Sequence, residues 1–371
     1  MHPSRSVSRW LAPVLLAASA LCACAAPAAA AAPAAKAATV LRVTDAAGRT
    51  VELAKPPERI VVVGRGPYMA LDLLYMFPGA SRRLVGVERK GQGTSDFVPL
   101  LDPTFGEKAA LQSPGPEQIA ALHPDLVIAK NEVLDQTGTA LGEIHVPVCY
   151  VGLETPEQFY RDVANLGTLL GQPARAREIA AYFQGRVARI RDGWRGVPEA
   201  RRPRVLLVEY SERGGGAAVR VPAKPWMQTL EVETAGGRPV WLDSAAPTSG
   251  WTVANLEQIA RWDPDVIVLI VWYTLDPAKV VATLKADPQW SALRAVRGGN
   301  LRAFPSDVYG WDVPDPRWLL GMTWMAKTLY PGRFAGLDVP AEVRSFFATL
   351  YGMDAAAIES GVMSRVRLDV R

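Results

Sequence analysis

The sequence predicts an α/β protein of two Rossmann-like lobes joined by one long helix, with a ligand cleft between the lobes. Two observations carry that expectation. The first is a phrase that occurs twice. Residues 115–129 run Gly-Pro-Glu-Gln-Ile-Ala-Ala-Leu-His-Pro-Asp-Leu-Val-Ile-Ala, and residues 255–269 run Asn-Leu-Glu-Gln-Ile-Ala-Arg-Trp-Asp-Pro-Asp-Val-Ile-Val-Leu. Each copy reads as a short helix, a Pro-Asp turn and a buried strand. The copies stand 140 residues apart, well beyond the ~20–50 residues of a solenoid unit. The duplicated unit is therefore a lobe, and two lobes enclose a cleft. The second observation is the alternation of buried-strand runs with helical patterns, which implies mostly parallel sheets covered on both faces.

The elements follow in chain order. Arg5 and Arg9 precede an apolar stretch from Trp10 to Leu21, the pattern of a secretory signal and too short for a membrane span. Leu21-Cys22-Ala23-Cys24 has the form of a lipobox that would make Cys24 the lipidated first residue. The run from Ala25 to Ala38 also offers Ala-x-Ala sites for ordinary cleavage. The expected location is the periplasm, with a lipid anchor if Cys24 is processed. Residues 1–38 are signal and tether, 39–172 the first lobe, 173–198 the connecting helix and 199–371 the second lobe.

Val40–Val51 reads as a hairpin turning at Ala47-Gly48, and Arg59–Gly64 as a buried strand. A helix over Pro67–Phe77 and a strand at Leu84–Val87 follow. Then come a helix from Pro116 and strands Leu126–Ala129 and Val148–Val151. Thr155–Leu170 and Ala174–Trp194 are helical, the second carrying Ile179, Phe183, Val187 and Ile190 at helical spacing. Strands Val205–Tyr210, Val266–Val271 and Leu301–Phe304 and a helix over Pro316–Tyr330 build the second lobe. Trp318 and Trp324 fall within that helix and read as core. Residues 332–371 are left without an assigned role.

Composition excludes several classes. The formal charge of +4 falls to +2 without Arg5 and Arg9, which gives no warrant for nucleic-acid binding. Past the signal only Cys24 and Cys149 remain, so no disulfide framework is needed; Cys149, inside an apolar strand, reads as core. His123 and His145 lie apart and make no metal cluster. No Gly-x-Ser-x-Gly elbow or phosphate loop is present, and Gly214-Gly215-Gly216 lacks the Lys-Ser/Thr that would follow. The expectation is a binding protein, not an enzyme, without a resident cofactor. A hydrolase using Asp307, Asp312 and Asp315 is the alternative from a different class, although Asp315 is well placed to cap the next helix.

Ligands of open α/β sheets bind beyond the carboxyl ends of the strands. That rule places Arg65-Gly66-Pro67-Tyr68, Glu88-Arg89-Lys90, Gln112-Ser113 and Lys130-Asn131 on the first-lobe wall of the cleft. The second-lobe wall holds Tyr210, Trp226, Trp251, Trp272-Tyr273, Asp307 and Tyr309-Gly310-Trp311. From these, Arg65, Tyr68, Lys130, Tyr210, Trp226, Trp251, Trp272, Tyr273, Tyr309 and Trp311 are the candidate ligand-binding residues. Arg89 and Lys90 read as surface charges. Basic groups on one side suit an anionic ligand, and aromatic faces on the other suit a bulky body.

The opening Val-Thr-Asp-Ala-Ala-Gly-Arg-Thr-Val, the strand Arg-Ile-Val-Val-Val-Gly, the doubled phrase and the single long helix resemble one family. It is the helical-backbone class of substrate-binding proteins of ABC importers, which serves ferric siderophores, cobalamin, haem and related chelates. The resemblance covers about residues 40–331. The segment from Tyr309-Gly310-Trp311-Asp312 through Leu329-Tyr330-Pro331 is similar to the iron-complex and molybdate-type members. The resemblance implies a monomer that hands a metal chelate, a ferric siderophore first, to a permease dimer with its ATPase; molybdate or tungstate, cobalamin and haem are the alternatives. It further implies docking through one exposed acidic residue per lobe, and Glu117 and Glu257 match those positions. The stiff connecting helix implies small lobe movements.

Overall fold

The computed structural model describes residues 40–89, 97–130, 137–213 and 216–368. The signal, Cys24, Lys90, Asn131 and the Gly214-Gly215 pair lie outside them. Strands β1 (Leu41–Thr44) and β2 (Thr50–Leu53) pair antiparallel as a hairpin. The Asp45 carboxylate accepts the backbone N–H groups of Ala47 and Arg49, both at 2.9 Å, and Gly48 supplies the positive φ of 76°.

The first lobe is a sheet in the order β5-β4-β3-β6-β7. Its strands are β3 (Ile60–Val63), β4 (Leu84–Glu88), β5 (Ala109–Leu111), β6 (Leu126–Lys130) and β7 (Val148–Val151), all parallel. β3, β6 and β7 are buried at every residue, as a sheet covered on both faces requires. From β3 the chain winds outward to β4 and β5, then returns to β6 and β7. The reversal opens a crevice at the carboxyl ends of β3 and β6.

The helix Pro156–Leu169 starts with Thr155, whose hydroxyl accepts the Gln158 N–H at 3.2 Å, and with proline in its first turn. The connecting helix Pro173–Gly193 follows; its 21 residues span about 30 Å. It buries Ala176, Ile179, Phe183 and Ile190 along one stripe.

The second sheet has the order β11-β9-β8-β12-β13, with β10 beside β8. Here β8 is Arg204–Arg213, β9 Gly216–Pro222, β10 Arg238–Pro239, β11 Trp251–Val253, β12 Val266–Val271 and β13 Leu301–Ala303. β8, β10, β12 and β13 are parallel, whereas β9 pairs antiparallel with β8 and β11 pairs antiparallel with β9. The second lobe is thus half a hairpin structure, where the alternation of elements predicted a parallel one.

The repeated phrase has a physical reason in each lobe. Gln118 and Gln258 are capping-box residues, accepting the N–H of Gly115 at 3.0 Å and of Asn255 at 2.9 Å. Ile119 and Ile259 are fully buried. His123 and Asp263 both end the helix in the left-handed region, at φ 46° and 39°. Asp125 then accepts the N–H groups of Glu58 and Arg59 ahead of β3, and Asp265 that of Arg204 at the start of β8, all at 2.8 Å. The phrase is a device that ends a helix and staples the next strand to the central one.

Helix Trp318–Leu329 is buried on nearly every side, with Trp318 and Trp324 in the core. The described residues beyond 332 form further elements. Asp338 caps a helix over Val339–Tyr351 by accepting the Ala341 N–H at 3.1 Å, and Gly352 ends it at φ 66°. Glu342 on this helix receives Arg186 at 3.0 Å and Arg189 at 2.7 Å from the connecting helix. Short helical turns over 355–365 lead to an extended end. The described residues, 40 to 368, fall in one compact unit. Cys149 is fully buried and free, as a core residue.

Candidate functional site

The carboxyl ends of β12 and β13 open into a cavity of about 800 Å³. The loop after β12 supplies Trp272 and Tyr273, and the loop after β13 supplies Ser306, Asp307, Tyr309 and Asp312. Trp251 enters from β11, Glu209 from β8 and Tyr68 from the first lobe. Ser364, Arg365, Val366 and Arg367 of the chain's end form a further wall.

Asp307 shapes the second of these loops. Its carboxylate accepts the N–H groups of Val308 and Tyr309, the indole N–H of Trp311 at 2.9 Å and Nε of Arg317 at 2.9 Å. Arg317 is fully buried and also binds Asp315 at 2.9 Å and Asp72, which sits on helix Pro67–Tyr75 of the first lobe. Its guanidinium lies 4.3 Å from the Phe97 ring centroid and 4.9 Å from that of Tyr309. Across the same seam the Tyr68 and Tyr309 rings meet at 5.0 Å. One arginine therefore ties the first lobe to the loop that walls the cavity.

The electrostatics behind that loop are strained. Three buried carboxylates share one guanidinium. Burial, with the charges of Asp315 and Asp307, pushes the Asp72 carboxyl well above its ordinary value despite the Arg317 contact. Burial raises Asp315 to about 6 against the pull of Arg317. Asp312 has no cationic partner among the described residues. Burial, then the charges of Asp315 and Glu209, lifts it to about 7, offset only by its own backbone N–H. Deeper still, Glu231 is fully buried, and neither of its oxygens has a hydrogen-bond partner among the described residues; burial raises it strongly.

Of the residues read from sequence, Tyr68, Trp251, Trp272, Tyr273 and Tyr309 line the cavity. Trp226 stands behind Trp251, edge to face at 5.5 Å, and supports it rather than lining the space. Trp311 is placed differently from the expectation. It is fully buried, and its indole N–H is spent on Asp307. Tyr210 is buried too, with its hydroxyl donating to Glu212 at 2.9 Å.

The expected basic wall is not where the sequence placed it. Lys130 is only 3% exposed and is ion-paired with Glu154, which arrives from the loop after β7. Arg65 is exposed, between Gly64 and Gly66 at positive φ, and is not part of the cavity wall. Arg89 lies over the Phe105 ring and donates to the Phe105 carbonyl at 2.9 Å. Glu88 accepts the Gly64 N–H at 2.8 Å, which holds the turn after β3. Asp307 and Asp315, two of the three carboxylates suggested for a hydrolase, are turned onto the buried Arg317. Asp315 accepts the Arg317 N–H at 2.7 Å at the start of the next helix, close to the expected capping role. Glu117 and Glu257 are both exposed, each in the first turn of its matched helix. Arg317, Arg365 and Arg367 were missed by sequence reasoning.

Two α/β lobes, one connecting helix and a cavity beyond the strand ends define a two-lobe solute-binding fold. The sequence pattern of the family described as "Periplasmic binding protein" matches residues 68–308, and the chain belongs to that family. It is 27% identical to the molybdate-binding protein MolA of Haemophilus influenzae over 345 residues, covering 85% of this chain and 93% of that one. It is 28% identical to a cobalamin-binding protein of Halobacterium salinarum over 234 residues, covering 60% of this chain and 57% of the other. A periplasmic solute-binding protein of Veillonella parvula shares the fold at a TM-score of 0.69 and 21% identity, over 88% of this chain and 98% of that one. Among the described residues no helix is long and apolar enough to cross a membrane, and no group of three or more His, Cys, Asp or Glu is placed to hold a metal ion.

Proposed function

We propose that this protein captures a bulky metal chelate, a ferric siderophore first, outside the cytoplasmic membrane and delivers it to the permease of an ABC importer. The observation that carries the reading is the cavity of about 800 Å³ faced by Tyr68, Trp251, Trp272, Tyr273 and Tyr309. That volume falls in the range of sites for drug-sized molecules, and aromatic faces grip a large apolar body. A metal that arrives already chelated needs no cluster of protein ligands. Glu117 and Glu257, one per lobe on matched helix starts, are the docking points for the permease. Cys24 is the anchor if the lipobox is processed.

A second reading is a molybdate-type oxyanion. The likeness to MolA along 85% of the chain favours it. A tetrahedral oxyanion is small beside this cavity and would leave the aromatic wall idle. Thermal unfolding of the purified protein with ferric siderophores, cobalamin, haem and sodium molybdate separates the two. A ligand at a hundred times its Kd stabilises by about 2.7 kcal/mol. The first reading expects an upward shift with a chelate. A shift with molybdate alone replaces it by the second.

A further inference from the structure

A segment near the chain's end, residues 364–367, builds a wall of the cavity from outside the family-matched residues 68–308. It is fastened to both lobes and to the connecting helix. Phe347 and Tyr351 meet the first lobe's Phe97 at 5.4 and 5.0 Å. Arg175 of the connecting helix donates to the carbonyls of Leu350 at 2.7 Å and Thr349 at 3.1 Å. Beyond the turns the chain pairs with the cavity loop: Arg367 N–H donates to Ser306 O at 2.8 Å, and Ser306 N–H to Arg367 O at 3.3 Å. Trp324 Nε1 then donates to Leu368 O at 3.1 Å. The backbone is thereby fixed where Ser364, Arg365, Val366 and Arg367 line the cavity.

Among the described residues lining the cavity, Arg365 and Arg367 are the only cations. Four carboxylates also line it: Glu209, Asp276, Asp307 and Asp312. Glu209 is paired with Arg220 at 2.8 Å, and Asp307 with the shared Arg317 at 2.9 Å, so both carboxylates already face a cation. Asp312 is buried. That leaves Asp276, 3.9 Å from Arg367, at the far limit of an ion pair. Arg365 is exposed, and the Arg367 side chain is 58% exposed, so both guanidinium groups are available. Each is a planar fork suited to carboxylate, catecholate or phosphate oxygens. We infer that Arg365 and Arg367 form the anion-recognition wall of the cavity, selecting chelates of net negative charge whose organic body rests on Trp251, Trp272 and Tyr309. This inference rests on the chelate reading above and names the charge class of that ligand.

The test uses three probes: the anionic ferric complex of 2,3-dihydroxybenzoate, the neutral ferric complex of acetohydroxamate, and sodium molybdate. Affinities are measured by titration calorimetry for the wild type and for Arg365→Gln plus Arg367→Gln. The side chains are exposed, so thermal unfolding of the double variant should match the wild type. The wild type should prefer the catecholate complex to the neutral one. The double variant should lose about tenfold or more for the anion, with less than about a twofold change for the neutral chelate. Binding of molybdate alone, lost in the double variant, would sustain the arginine wall while refuting the chelate reading. Equal affinities in both proteins for a ferric complex that binds would overturn the arginine wall and leave the chelate reading standing, and equal binding of molybdate alone would overturn both. Binding of none of the three by the wild type would overturn both.

Discussion

Asp312 gives the sharpest physical prediction because its environment disfavours its charge. Its carboxyl is raised from an ordinary 3.8 to about 7 by burial and by Asp315 and Glu209. Raising an acid's value in the folded state means that the fold binds the proton more tightly than the unfolded chain does. Stability from this group is therefore complete below about pH 4 and is lost as pH rises to about 7. At 1.36 kcal/mol per pH unit the full loss is about 4 kcal/mol, of which about 3 falls between pH 5 and pH 8.5. Asn has the same shape and no charge, so Asp312→Asn removes the dependence. With an unfolding entropy of about 0.7 kcal/mol/K for a chain of this size, the variant's advantage in Tm should grow by about 4 °C from pH 5 to pH 8.5. Differential scanning calorimetry of both proteins at the two pH values measures it. A constant difference between variant and wild type across that range would refute the reasoning, because every other titrating group is common to both.

Three further outcomes follow from the geometry. Arg317→Met leaves Asp72, Asp307 and Asp315 buried without their cation; breaking such a group costs about 3–5 kcal/mol, which denaturant unfolding should read as a lower midpoint. Lys130→Met should lower stability by about 1–2 kcal/mol through loss of the Glu154 pair. Calorimetry should find its ligand affinity unchanged, whereas a binding role for Lys130 requires a loss. Glu117→Arg plus Glu257→Arg should leave ligand affinity unchanged and reduce uptake in cells sharply, since like charge would then face the permease; normal uptake at normal protein levels makes both residues ordinary helix-start acids.

Much of the fold was legible because its signals are local. Buried strands such as Val148–Val151 and Val266–Val271 fall where their apolar runs place them, and the helix between the lobes begins one residue from its expected start. The doubled phrase was legible as a duplication, although its chemistry, a capping glutamine and a strand-stapling aspartate, needed coordinates. The site was legible only in part. An aromatic residue beyond a strand either faces a ligand or packs, and its partner decides. Trp272 lines the cavity, whereas Trp311 is drawn inward by Asp307 four residues before it. Lys130 follows the rule for strand ends, but Glu154 comes 24 residues later to bury it. Arg317 acts on Asp72 across 245 residues of sequence, and no local pattern announces such a pair. The hairpin of β8 and β9 went unread although Gly214-Gly215-Gly216 is a turn signal, because the glycines were weighed only as a phosphate loop. The helix Val339–Tyr351 did carry local signals that went unread, a capping Asp338, the stripe Val343, Phe346, Phe347 and Leu350, and a closing Gly352; Arg365 and Arg367 lie beyond it with no pattern of their own.

The central claim is that one bulky, negatively charged metal chelate occupies the cavity between Tyr68 and the aromatic wall of the second lobe. Native mass spectrometry of the protein isolated from a native periplasm tests it most directly. The account predicts a single non-covalent adduct of organic chelate mass carrying a metal isotope pattern, reduced in Trp272→Ala and in Arg365→Gln plus Arg367→Gln. An adduct of bare oxyanion mass, or a chelate adduct indifferent to all three substitutions, would contradict it.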